Sequence, residues 1–183
     1  KVETLILSIS NDKYIQEEFK QLIGEDFKLN YQNSWGRIGF QFLETWRPSI
    51  FAGVMVDWKD HNIKPILNKD SPDFVILLSF AEDLHGRYKV DENYINLVNE
   101  LKQNLENNNS DWEFYNHLED RSVEKPNNIW HPLYIRKPLI ELLRGTKTFE
   151  EQKLRVFEGI KEVLPYFSQS IYFLNLRKEF HLP

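Results

Sequence analysis

Arg37-Ile38-Gly39-Phe40-Gln41-Phe42-Leu43 is the stretch on which the fold turns. In an extended chain Ile38, Phe40 and Phe42 point to one side while Arg37, Gly39, Gln41 and Leu43 point to the other, the alternation of a half-buried strand. Two further runs rich in β-formers flank it, Phe27 to Tyr31 and Ile50 to Trp58. The connections, Gln32 to Gly36 and Glu44 to Ser49, are short, so the three runs predict an antiparallel meander. A fourth run, Asp73 to Phe80, is almost continuously apolar, which predicts a central strand with both faces covered.

Away from the meander the spacing turns helical. Asn11 or Asp12 caps a helix whose Ile15, Phe19, Leu22 and Ile23 share one face, ending at Gly24. Before it, Val2, Leu5, Ile6 and Ile9 fit a helical stripe, whereas Leu5, Leu7 and Ile9 fit a strand face equally well, so that element stays open between the two. Asp91 starts a helix carrying Tyr94, Leu97, Val98, Leu101 and Leu105 on one face, and the helix dissolves in Asn107-Asn108-Asn109-Ser110. A short aromatic strand follows at Trp112 to Tyr115, then a polar loop from Glu119 to Asn128. A strand from Ile129 to Arg136 comes next, which Pro132 assigns to a sheet edge. Pro138 suits the first turn of a short helix ending at Gly145, and Thr148 with Glu151 has the spacing of a capping box. The stripe Val156, Ile160, Val163, Phe167, Ile171 and Leu174 continues past Pro165, predicting one long helix kinked there or two helices meeting there. The whole reads as a single α+β domain over residues 1–183: a four-strand antiparallel meander sheet covered on one face by helices, with a long kinked C-terminal helix. A doubly wound nucleotide fold would alternate strand and helix, and this order does not.

Composition bounds the rest. The chain has 183 residues, 41% of them hydrophobic, with 13 Phe, 8 Tyr and 5 Trp, enough to fill a core and to exclude disorder, collagen and coiled coil as whole-chain readings. No apolar run approaches the ~20 residues of a membrane-spanning helix, so a soluble protein without a membrane partner is expected. Because there are no cysteines, disulfide frameworks, thiolate zinc sites and cysteine nucleophiles are excluded. A formal charge of -5 disfavours a large phosphate-binding surface. The chain begins at Lys1 and enters an apolar stretch at once, which reads as a piece of a longer protein.

Few groupings carry chemistry. Gly36 and Gly39 lack the spacing of a dinucleotide or phosphate loop and precede a strand; a turn, then a strand glycine that lets another group approach, explains them better. His61, His85, His117, His131 and His181 are dispersed and read as surface or satisfied residues, and Ser79 reads as a strand residue. The sharpest catalytic candidate is Asp57-Trp58-Lys59, where an acid and a lysine two apart on a strand project to one face and could hold Mg²⁺ and a polarised water. A metal site also needs an earlier acid. In the hairpin Glu44 lies beside the turn, roughly 20 Å from Asp57 at ~3.3 Å per residue, and Asp73 follows instead of preceding. A solvated charge pair is therefore the preferred reading, with Asp57, Lys59 and Asp73 kept as the catalytic set of the alternative. Trp35, Arg37, Trp46, Arg47 and Trp58 fall at or near strand ends and turns. Their indole and guanidinium planes there could stack on a base or clamp an anion, or simply cap the sheet ends.

The capped helix, Trp35-Gly36-Arg37-Ile38-Gly39-Phe40, the hairpin into Phe51-Ala52-Gly53-Val54 and the later Asp111-Trp112 resemble the region C-terminal to the catalytic core in bacterial and phage PD-(D/E)XK nuclease-superfamily proteins, across residues 11 to 116. The superfamily core, an acid followed by acid-x-lysine and a downstream Gln, is not recognisable. The resemblance implies an accessory domain of a DNA-processing or phage-defence protein in a bacterial cytoplasm, and transfers no catalytic residue. The expectation is a non-catalytic binding or regulatory module without a cofactor, its partner open among protein, small ligand and nucleic acid. The alternative is a Mg²⁺-dependent nuclease or phosphodiesterase using Asp57 and Lys59.

Overall fold

The computed structural model describes residues 1–24, 29–34, 37–42, 49–55, 72–79, 91–116 and 132–179. Six strands among them form one antiparallel sheet: β1 (Leu29–Ser34), β2 (Arg37–Phe42), β3 (Ser49–Met55), β4 (Asp73–Ser79), β5 (Glu113–Asn116) and β6 (Leu133–Pro138). Their spatial order is β1-β2-β3-β4-β6-β5. The expected four-strand meander is thus β1 to β4, and the sheet is larger by the two C-terminal strands. β4 is interior and buried along its length, as its apolar run requires.

The placement of β6 corrects the edge assignment. Pro132 precedes Leu133, the first residue of the strand, so its missing N–H removes no bond from the ladder, and β6 pairs on both sides. The Pro132 carbonyl instead accepts a buried hydrogen bond from the Tyr94 hydroxyl at 3.0 Å.

One row across the sheet explains the core. Tyr31, Phe40, Ala52, Ile76, Ile135 and Phe114 stand opposite one another strand by strand and face the helices. The helices are α1 (Val2–Ser10), α2 (Lys13–Ile23), α3 (Glu92–Asn107), α4 (Leu139–Leu142), α5 (Phe149–Ser168) and α6 (Ile171–Glu179). The element left open at the N-terminus is a helix: Leu5, Ile6 and Ile9 are buried against the sheet, so the helical stripe wins over the strand alternation. Phe19 of α2 lies edge-on to Phe42 of β2 and Phe157 of α5, with ring centroids 5.2 and 5.3 Å away, and so joins two helices to the sheet.

Helix ends follow the local chemistry. The Asp12 carboxylate accepts from the backbone N–H groups of Tyr14 and Ile15, Asp91 does so from Tyr94, and Thr148 with Glu151 closes a capping box. The Asn cluster ends α3 in a definite way. Asn109 takes φ 47°, its N–H reaches the Glu106 carbonyl at 3.1 Å, and the Ser110 N–H reaches the Leu105 carbonyl at 2.9 Å. α5 runs through Pro165 to Ser168 and the chain restarts at Ile171 as α6, so two helices meet three residues beyond the proline. The Ser170 hydroxyl at that junction donates to the Glu100 carboxylate of α3, and Asn175 Nδ2 donates to Asn93 Oδ1 at 3.2 Å, so polar contacts to α3 join the buried Phe173 and Leu176 in holding α6. No described helix is long and apolar enough to cross a membrane.

Candidate functional site

The face of the sheet away from the helices carries the polar residues of the alternation, and here the half-buried reading is corrected. Arg37, Gln41, Ser49, Asp73 and Arg136 are all buried, beside a second apolar cluster of Phe51, Met55, Val75, Leu77 and Tyr134. Alternation reports which side a residue takes, whereas burial of that side is decided elsewhere in the chain.

Three cross-strand rows build most of this face, and Ser49 with Ser79 forms a shorter one beyond them. Arg37, Met55, Asp73 and Pro138 form one; Gly39, Gly53, Val75, Arg136 and Glu113 form the next; Gln41, Phe51, Leu77, Tyr134 and Tyr115 form the third. The two glycines of the middle row are direct partners, and the absence of side chains there opens a trough. Phe51 lies in it: a Cβ at Gly39 would come within 2.6 Å of Phe51 Cζ, and one at Gly53 within 2.8 Å. The ring thereby crosses from its own row to the Arg37 row, where the guanidinium carbon sits 4.8 Å from its centroid. This is the close approach for which Gly39 was required. Burial pushes the Arg37 guanidinium down to about 10, which leaves it charged at neutral pH.

At the same end of the sheet Arg136 bridges two carboxylates. Its Nη1 lies 3.5 Å from Asp73 Oδ2 on β4, and its Nε donates to Glu113 Oε2 at 3.0 Å on β5. The Arg136 and Asp73 side chains are 1% and 3% exposed, so this pair has little solvent screening. Arg37 and Asp73 share a row with one strand between them, placing their backbones about 10 Å apart. Arg37 and Arg136 against Asp73 and Glu113, two positive and two negative, balance in charge on this face among the described residues. At the opposite end the chemistry is neutral: Gln32 Nε2 donates to Gln41 Oε1, and Gln41 Nε2 donates to Ser49 Oγ at 2.8 Å, a ladder across β1, β2 and β3. In the Gln41 row, across the sheet at β5 and β6, Tyr115 stacks on Tyr134 with centroids 4.4 Å apart.

Of the residues singled out from the sequence, Arg37, Gly39, Asp73 and Ser79 are brought to this one face. Trp35, Trp46, Arg47 and Trp58 of the aromatic and cationic set lie outside the described residues, as do Asp57 and Lys59, Glu44, Gly36, the loop Glu119 to Asn128 and all five histidines. Sequence reasoning missed Arg136 and Glu113. Glu113 is directly opposite Arg136 in the β5–β6 pairing, a signal visible only once those two strands are set in register. Among the described residues no three His, Cys, Asp or Glu side chains come together as a metal site. Comparison with protein-family models, with curated proteins and with solved structures finds no match.

Proposed function

We propose that this chain is a non-catalytic binding or regulatory module. The observation that carries the reading is the use made of Asp73: its carboxylate faces the Arg136 guanidinium in a buried pair. In the alternative, a metal-dependent phosphodiesterase, Asp73 would join Asp57 and Lys59 around Mg²⁺, and it would first have to give up a buried ion pair, leaving Arg136 with Glu113 on its other side. Arg37 supports the same reading, since its guanidinium is buried inside the sheet over the Phe51 ring. Its contribution to binding is to brace the strand end, and any direct contact with a ligand falls to Trp35, Trp46, Arg47 and Trp58. An accessory role beside a DNA-processing or phage-defence protein in the cytoplasm rests on the resemblance of residues 11 to 116.

The test combines metal and nucleic-acid titrations. Calorimetry with Mg²⁺ or Mn²⁺ is expected to give no stoichiometric site, and single- or double-stranded DNA is expected to survive incubation with either ion. A stoichiometric site abolished by Asp57→Ala would overturn the reading in favour of the phosphodiesterase. If DNA is the ligand, Arg47→Ala should lower the salt slope of binding by ~0.7 to 0.9, whereas Arg37→Ala should lower stability and leave the slope unchanged.

A further inference from the structure

We draw no further inference here: the strongest candidate, the buried polar row of Arg37 and Asp73 on the second face of the sheet, belongs to the site already described, and nothing in the structure shows what covers it.

Discussion

The helix side of the sheet and the opposite face are built from alternate residues of the same strands, and both are buried, yet they are held by different forces. On the helix side Phe19, Phe40, Phe42, Ile76 and Ile135 meet apolar partners, and each large side chain removed from water contributes roughly 1.5 to 3 kcal/mol without regard to direction. On the other face Arg136, Asp73 and Arg37 are stable only in particular geometries, because a buried charge that loses its partner is costly. One face tolerates any well-fitting hydrocarbon. The other is sensitive to the loss of one member of a pair.

Four substitutions break or sharpen this contrast, the largest effect first. Phe19→Ala removes the ring between Phe42 and Phe157 and is expected to cost about 3 to 5 kcal/mol of unfolding free energy in urea titration. A cost below about 1 kcal/mol would mean that the helices are not anchored through this ring. Arg136→Met should cost about 3 kcal/mol, since it leaves Asp73 buried without its guanidinium. Adding Asp73→Leu should recover most of that loss, because an apolar pair of similar volume can replace a buried ion pair. A double variant as unstable as the single one would show that Asp73 holds more of the face than its pairing with Arg136.

Gly53→Ala should cost about 1 to 3 kcal/mol, as the new methyl group meets Phe51 and the backbone of Ile38 and Gly39. Combined with Phe51→Leu the losses should be less than additive, and strict additivity in the double-mutant cycle would place the ring outside the glycine trough.

The smallest effect is at the α2–α5 seam. Asp12 caps α2 and meets Lys153 of α5 at 2.6 Å, so Asp12→Ala should cost about 1 kcal/mol at neutral pH. The hydrogen bond from Lys153, helped by the N–H groups of Ile15 and Tyr14, holds the Asp12 carboxyl below its ordinary value of 3.8. Its contribution is therefore full above 3.8 and is lost as pH falls through the lower folded value. Hydrogen bonding to Asp12 holds Lys153 above its ordinary 10.5, so its contribution is full below that value and fades as pH rises through the raised one. The gap in melting temperature between Asp12→Ala and the parent should stay level across neutral pH and narrow in strong acid. A gap that persists unchanged in strong acid would show that Asp12 acts without its charge.

The contrast also explains what was legible in the sequence. Caps at Asp12, Asp91 and Thr148, the central position of β4 and the faces of β2 follow from local rules, because neighbouring residues alone determine them. Pro132 misled because its effect depends on whether it stands inside the strand or just before it, a matter of one residue. The end of α5 was not legible either: the helix continues past Pro165 to Ser168, and the Ser170 hydroxyl at the junction meets Glu100 of the distant α3. The polar side of β2 misled most, since Arg37 and Gln41 alternate in the same manner whether the face meets water or the interior. Arg136 and Asp73 are 63 residues apart, and no local pattern pairs them.

The strand order imposes an order of assembly. β1, β2 and β3 pair with their neighbours in sequence, so each can close as soon as the next strand exists. β4 must wait for its second partner, because Leu78 pairs with Leu133 and the whole of α3 and β5 intervenes. During synthesis an apolar strand therefore presents an open edge for as long as the intervening chain takes to emerge. Such an edge recruits other strands, including those of neighbouring nascent chains. Arrival of β6 closes that window and joins Asp73 to Arg136 in the same event. Slow translation between β4 and β6, or removal of β6, converts the strand that organises the folded sheet into its principal aggregation hazard.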